Sequence, residues 1–96
     1  MFEMPRPERL PDEPRAHRVK RLAMRSMRRG IKEMDLILSA YAGDRLAAMD
    51  DAQLTHYDDL LDEADHDLYQ WVTGQMPPKE GFEDLVNDIQ VHISKG

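Results

Sequence analysis

The chain has 96 residues, no cysteine, 19 acidic against 13 basic side chains, and a formal net charge of −6. This length allows one small domain, and the lack of thiols excludes disulfides, thiolate metal sites and cysteine nucleophiles. No apolar run reaches the ~20 residues that span a bilayer, and the first residues lack the apolar segment of a secretory signal, so we expect a soluble, cytoplasmic protein without membrane insertion.

Residues 1–14 contain four prolines and alternating charges. Such a composition is typical of a disordered segment. The sequence therefore predicts a disordered Pro-rich tail over residues 1–14 and a single helical-bundle domain over residues 15–96. Four acidic residues in the tail also argue against a mitochondrial presequence, which would be rich in arginine and poor in acids.

The first predicted helix begins at Arg15 or Ala16 and ends at Arg29. Apolar and small side chains recur along it at helical spacing and indicate its buried stripe, which consists of Val19, Leu22, Ala23, Ser26 and Met27. Its other faces carry basic side chains, and we expect an exposed cationic patch made of Arg15, Arg18, Lys20, Arg21, Arg25 and Arg28.

A junction follows at Gly30. Because it has no Cβ, Gly30 can adopt the positive φ that closes a helix. Arg28 and Arg29 then lie at the C-terminus of one predicted helix, and Glu33 lies in the first turn of the next, where each charge complements a helix dipole. An ordinary connection between two helices explains this pattern without any function.

The second predicted helix covers residues 31–42 and is the most apolar segment of the chain. Its buried face consists of Ile31, Met34, Ile37, Leu38 and Tyr41. Gly43 and Asp44 are expected to end this helix, and a short element should follow over residues 45–49.

Asp50 and Gln53 have the three-residue spacing of a capping box, which predicts the start of a fourth helix. We expect this helix to run unbroken over residues 51–72, with Thr73 and Gly74 closing it. Its inner face consists of Leu54, Tyr57, Leu61, Ala64, Leu68 and Trp71. Its outward face is acidic and consists of Asp58, Asp59, Asp62, Glu63, Asp65 and Asp67.

A last predicted helix covers residues 79–94. Its apolar face consists of Phe82, Leu85, Val86, Ile89 and Ile93. No segment alternates between apolar and polar residues as a half-buried strand would. The sequence therefore predicts an all-α protein, a small bundle of four to five helices behind the disordered tail.

Charge is distributed unevenly along the chain. Residues 1–30 carry nine basic and four acidic side chains, a net of +5, and residues 31–96 carry four and fifteen, a net of −11. The basic end permits an alternative function, an antitoxin-like or nucleic-acid-binding helical module that uses the first helix. The acidic body would repel phosphate, and the basic helix has no interleaved aromatic residue, so we expect no nucleic-acid partner.

The sequence shows no catalytic machinery. Its three serines lie outside a nucleophile-elbow motif, and it has no Gly-rich phosphate loop. His56 and His66 lie ten residues apart on one predicted helix, which places them about 15 Å from each other, too far to share one ion. A site of one histidine with carboxylates stays open as an alternative, but a solvated acidic surface is the better interpretation of these residues. We therefore expect no catalytic residue, no metal site and no enzyme activity.

The segment Arg29-Gly30-Ile31-Lys32-Glu33 resembles the Arg-Gly-x-x-Glu signature of the succinate dehydrogenase flavinylation factors, called SdhE in bacteria and succinate dehydrogenase assembly factor 2 in mitochondria. Its surroundings are similar as well. A basic helix precedes it, an apolar helix follows, and Asp67-Leu68-Tyr69-Gln70-Trp71 resembles the family's Asp-Leu-aromatic-x-Trp segment. The resemblance covers roughly residues 21–93 and implies a helical assembly factor.

This resemblance implies a chaperone that binds the flavoprotein subunit of succinate dehydrogenase, and often that of fumarate reductase. The factor would promote covalent attachment of FAD to a histidine of this client. In that reaction the client imidazole attacks the 8α-methyl carbon of the flavin after the methyl loses a proton, so the factor would act by holding the client in attack geometry. The factor itself would bind no cofactor stably.

Carried onto this chain, the signature makes Arg29, Gly30 and Glu33 the expected client-binding residues. Arg29 would make charge-assisted contacts with the client, and Gly30 would allow the two backbones to approach closely. Glu33 would make a polar contact near the attachment site. Arg28 and Asp35 flank the signature and are further client-binding candidates.

Overall fold

The structure is a computed structural model that describes residues 13–27 and 29–95, with the backbone alone for residue 95. This part of the chain forms α1 (Arg15–Ser26), α2 (Lys32–Arg45), a 3-10 helix (Leu46–Ala48), α3 (Asp51–Leu60), α4 (Asp65–Val72) and α5 (Glu83–Lys95). It contains no strand, and the all-α prediction is confirmed. Residues 1–12 of the predicted tail lie outside the described part, so the tail and the domain boundary stay predictions.

The core is built around α2, which packs against α1, α4 and α5. Its Met34 and Leu38 are fully buried, and Leu22 of α1, Leu54 of α3 and Ile89 of α5 meet them in one cluster. Burying each such side chain contributes roughly 1.5 to 3 kcal/mol. None of the described helices is long and apolar enough to cross a bilayer.

The predicted long fourth helix is wrong, because the chain leaves the helix after Leu60 and starts again at Asp65. The predicted inner face is confirmed for Leu61, Leu68 and Trp71, which are buried, and wrong for Ala64, which is exposed. The turn frees backbone carbonyl groups between the two helices, and the Arg29 guanidinium binds two of them. A side chain from the connection between α1 and α2 thus stabilises a break that a local apolar period does not reveal.

Two further predicted helix ends are displaced. α1 ends at Ser26 instead of Arg29, and the buried Ser26 Oγ donates to the Leu22 carbonyl at 2.8 Å, a bond that competes with the helical ladder. Gly43 lies inside α2, which continues to Arg45 and passes directly into the 3-10 helix because Leu46 is buried. The 3-10 helix falls within the short element predicted over residues 45–49.

The remaining caps agree better with the sequence. The capping box is present. The backbone N–H of Gln53 donates to Asp50 Oδ1 at 2.7 Å, and the backbone N–H of Asp50 donates to Gln53 Oε1 at 2.9 Å. Gly74 follows α4 with a φ of 80°. α5 begins at Glu83 instead of residue 79. Phe82, the residue directly before the helix, stacks on Trp71 with ring centres 6.2 Å apart.

The predicted exposed cationic patch is wrong for the arginines that face α3. Arg21 is 3% exposed and donates to Asp58 at 3.0 Å and to Glu13 at 2.7 Å. Arg25 also binds Asp58, and Arg18 binds a threonine hydroxyl of α3. The hydrogen bonds from Arg21 hold the pKa of Glu13 below its usual range. The basic face of α1 therefore neutralises the acidic face of α3 inside the bundle, which a charge run in sequence does not reveal.

Candidate functional site

The candidate site is the junction between α1 and α2, which we define as residues 27–31. Arg28, one of the predicted client-binding residues, lies outside the described residues. Met27 leaves the helix in an extended conformation, with φ −92° and ψ 166°. The junction then passes along the turn between α3 and α4, residues 61–64, where the Arg29 side chain binds.

Arg29 points into the protein. Its Nε donates to Asp65 Oδ1 at 2.6 Å, while its two terminal nitrogens donate to the carbonyl oxygens of Leu61 at 3.1 Å and Glu63 at 3.2 Å. The side chain is only 12% exposed. A cation at a helix C-terminus is favourable. The carbonyl groups that Arg29 binds follow the end of α3, however. The prediction that the Arg29 charge stabilises the C-terminus of α1 is therefore wrong.

Gly30 is held by the same carboxylate. Its amide donates to Asp65 Oδ2 at 2.5 Å. The predicted positive φ is wrong, since among the described glycines only Gly74 and Gly81 have one. Glycine suits this position for another reason: a Cβ on Gly30 would lie 2.9 Å from Asp65 Oδ2, so the Asp65 side chain would have to shift. The close approach predicted for Gly30 is made by a side chain of its own protein.

Glu33 is the signature residue that faces outward. It is the second residue of α2 and is exposed. Leu36 lies one turn further on the same face of α2 and is 64% exposed, the largest value among the exposed apolar side chains of the described residues. Asp35 is half-buried and accepts a hydrogen bond from Ser39 Oγ at 3.2 Å, so it points along α2 and away from Glu33.

The start of α2, directly after the junction, offers a surface for contact, with the exposed carboxylate of Glu33 beside the exposed apolar side chain of Leu36. Among the described residues, no three His, Cys, Asp or Glu side chains are arranged to hold a metal ion. A cleft of about 520 Å³ lies elsewhere in the bundle and contains none of the junction residues; it is lined by Tyr41, Arg45, Met49, Asp50, His56, Asp84 and Asp88, among others. The chemistry that the junction supports is recognition of a partner.

Sequence reasoning missed Asp65. It counted this residue among the outward acidic side chains of a continuous helix, whereas the structure places it at the first position of α4 with its carboxylate against Arg29 and Gly30. The sequence around Asp65 gives only a weak indication of this role, because an acidic residue is favourable at the start of any helix. Its partners lie 35 and 36 residues earlier in the chain.

The comparisons with known proteins point to one family. Residues 20–93 match the model of a family described as the flavinator of succinate dehydrogenase. The chain is 36% identical over 96 residues to succinate dehydrogenase assembly factor 2-B, mitochondrial, of Drosophila mojavensis, an alignment that covers 95% of this chain and 61% of that protein.

Two fungal relatives carry nearly the same name, succinate dehydrogenase assembly factor 2, mitochondrial. The protein of Saccharomyces cerevisiae is 37% identical over 84 residues, covering 82% of this chain and 52% of the relative. That of Meyerozyma guilliermondii is 51% identical over 53 residues, covering 55% and 39%. The chain thus spans between 39% and 61% of the length of these three relatives.

The predicted cytoplasmic location is wrong by this comparison, because the relatives are named as mitochondrial proteins. The cytoplasmic expectation came from the lack of an apolar span and of a secretory signal, and the acidic residues in residues 1–14 spoke against a mitochondrial presequence. These bear on whether that stretch acts as a presequence, and they carry no information about the compartment in which the folded bundle works.

Proposed function

The chain belongs to the family of succinate dehydrogenase assembly factors, and we propose that it binds the flavoprotein subunit of succinate dehydrogenase and promotes covalent attachment of FAD to a histidine of that client. One observation carries this proposal. Within the residues matched by the family, Arg29 turns its side chain into the bundle and Gly30 is bound at its amide by Asp65, while the side chain of the third signature residue, Glu33, is exposed.

We assign the direct client contact to Glu33. An exposed carboxylate on a rigid helix accepts hydrogen bonds from a cationic or N–H group of a partner, and such charge-assisted bonds are the stronger ones. Leu36 adds an apolar contact on the same face of α2. Such a neighbouring contact would help to exclude water from the bonds of the carboxylate.

We assign Arg29 and Gly30 to building the junction. Arg29 already donates to three acceptors of its own chain, and the space in front of Gly30 is filled by Asp65. A direct contact of Arg29 with the client would first require these bonds to break. In this proposal the two residues affect the client through the placement of Glu33.

The contribution to flavin attachment is conformational. The client and its flavin supply the imidazole and the methyl carbon between which the bond forms, and holding reacting groups in attack geometry is worth several kcal/mol, up to about 10. Binding across two parts of the client would hold them in the closed arrangement that the reaction needs. The factor then needs no chemical step of its own, and we do not class it as an enzyme.

The proposal includes no flavin bound by the factor alone. Its cleft carries three carboxylates, Asp50, Asp84 and Asp88, against one arginine, a charge that disfavours the pyrophosphate of FAD. The purified chain should therefore lack the visible absorbance of flavin after incubation with FAD and gel filtration. Stoichiometric flavin in that fraction would contradict this part of the proposal.

The flavoprotein subunit of fumarate reductase stays a second expected client.

The test is in-gel fluorescence of covalent flavin on the succinate dehydrogenase flavoprotein in cells that lack this gene. Wild type should restore the fluorescence and Glu33→Ala should not. Asp84→Ala is the matched control, because Asp84 is also an exposed carboxylate at the second position of a helix, α5. It should restore fluorescence fully. Unchanged fluorescence in cells without the gene would overturn the proposal.

A further inference from the structure

We propose that Asp65 is the positioning residue of this site: its carboxylate holds Arg29 and Gly30 together and thereby fixes the place where α2 begins and Glu33 faces outward. The proposal rests on the client-binding function proposed for Glu33. It adds a residue that lies outside the Arg-Gly-x-x-Glu signature and belongs to another helix.

The two oxygens of Asp65 have separate partners. Oδ1 accepts from Arg29 Nε at 2.6 Å, and Oδ2 accepts from the Gly30 amide at 2.5 Å. The Asp65 side chain is 19% exposed, which limits competition from water. An ionised carboxylate accepts at both oxygens and donates from neither, whereas asparagine would direct an N–H₂ group at one of these two donors.

The start of α2 depends on this contact. The N-cap of α2 is Ile31, whose side chain has no acceptor, and no described side chain caps the helix there. The chain immediately before α2 is held at the Gly30 amide by Asp65. Glu33 follows three residues later, so a movement of Gly30 is passed to Glu33 through a single turn of helix.

The other side of the contact is anchored in the core. Asp65 is the first residue of α4, and Leu68, Trp71 and Val72 of this helix are buried. Arg29 also binds the turn that precedes α4, through the carbonyl oxygens of Leu61 and Glu63. The junction is therefore fastened to a fixed part of the bundle, and Asp65 is the member of this arrangement that touches both Arg29 and Gly30.

The arrangement also links a side chain at residue 30 to the placement of Arg29. A Cβ there would displace the Asp65 carboxylate, and its displacement would release Arg29 as well, because one carboxylate serves both. In this proposal Arg29, Gly30 and Asp65 act together, and their common effect is to position Glu33. Residues that act as a unit give non-additive effects when they are mutated together.

A double-mutant cycle on client binding tests this unit, with the purified flavoprotein subunit of the same organism's succinate dehydrogenase as the probe. Asp65→Asn keeps the side-chain volume and removes one acceptor and the charge. Asp67→Asn is the matched control, since Asp67 is an exposed carboxylate in the same first turn of α4. All variants are first shown to be folded by circular dichroism at the temperature of the binding measurement.

We expect Asp65→Asn and Glu33→Ala each to raise the Kd at least about tenfold, and Asp67→Asn less than about twofold. The double variant Asp65→Asn/Glu33→Ala should bind as weakly as Glu33→Ala alone. Fully additive losses, or an unchanged Kd for Asp65→Asn, would overturn the positioning role. An unchanged Kd for Glu33→Ala would instead overturn the proposed function.

Amide hydrogen exchange tests the hydrogen bond from the Gly30 amide to Asp65 in the wild-type protein. This measurement needs neither the client nor a folded variant. The Gly30 amide should exchange at least about tenfold more slowly than an unstructured glycine amide, because a carboxylate accepts its hydrogen. In folded Asp65→Asn this protection should fall while that of Leu38 in the core persists. An unprotected Gly30 amide in the wild-type chain would overturn the proposal.

Discussion

Arg21 and Asp58 face each other across the contact between α1 and α3, with 3.0 Å between Arg21 Nη2 and Asp58 Oδ2 and both side chains at most 3% exposed. Burial would be costly for either charge alone. Hydrogen bonds to Glu13 and Asp58 raise the pKa of Arg21. The pair explains how a basic helix and an acidic helix pack together in one small core.

Asp58→Ala should destabilise the protein by about 3 to 5 kcal/mol, because Arg21 and Arg25 would stay buried without this partner. Asp62→Ala removes another carboxylate bound to Arg25, but one that is 61% exposed, so its loss should cost less than about 1 kcal/mol. Urea unfolding of the two variants gives the comparison. Similar losses in both would contradict the buried pair.

Two glycine substitutions should have opposite signs. Gly43→Ala should stabilise the protein by up to about 1 kcal/mol, because Gly43 lies within α2 and no described atom would lie within 4 Å of the added Cβ. Gly30→Ala should cost about 1 to 3 kcal/mol, because it displaces the Asp65 carboxylate and weakens its hydrogen bonds. Thermal unfolding of both variants measures this, and a stabilising Gly30→Ala would refute the account of Gly30.

Tyr57 should make the protein sensitive to alkali. Burial raises its pKa to about 12, while the unfolded chain ionises near 10. Its stabilising effect is therefore complete below pH 10 and is lost as the pH rises from 10 to 12, by up to about 3 kcal/mol. Tyr57→Phe should cost about 1 kcal/mol at pH 7 and should flatten the decline between pH 10 and 12. Urea unfolding across this range is the measurement; an unchanged slope in the variant would contradict it.

The basic helix should not bind nucleic acid. The alternative function required Arg18, Arg21 and Arg25 to be free for phosphate, yet each binds a residue of α3. We expect no saturable binding of a duplex below about 100 µM at physiological salt, judged by fluorescence anisotropy. Arg25→Ala should lower the free energy of unfolding, whereas Lys20→Ala, on the exposed side of α1, should leave it nearly unchanged. Salt-dependent binding lost on Arg25→Ala would restore the alternative.

Much of the fold follows from the sequence because apolar spacing reports which side of a helix is buried. Leu54, Tyr57, Leu61, Leu68 and Trp71 were assigned to one inner face and all are buried, although the helix that carries them is broken. The break was missed because a three- and four-residue period continues across a short turn. The turn is stabilised by Arg29, which binds the Leu61 carbonyl from 32 residues earlier in the chain, and a local period does not report such a tertiary contact.

The signature was visible in the sequence, but the direction of its side chains was not. Arg29 and Glu33 lie four residues apart and both are charged, yet one is turned into the bundle and the other outward. Arg29 is held inward by Asp65, which becomes its neighbour only when α4 packs against α2. The sequence also assigned Gly30 to a helix end, because glycine is more often required for a positive φ than for a close contact.

The central claim is that the face of α2 that carries Glu33 and Leu36 touches the flavoprotein subunit. The most direct measurement is photocrosslinking in cells, with a benzophenone amino acid at position 36 and, as the control, at position 91, since Leu36 and Val91 are both exposed apolar residues on different helices. The account predicts a covalent adduct with the flavoprotein subunit from position 36 and none from position 91. An adduct from position 91 alone, or none with that subunit from position 36, would contradict it.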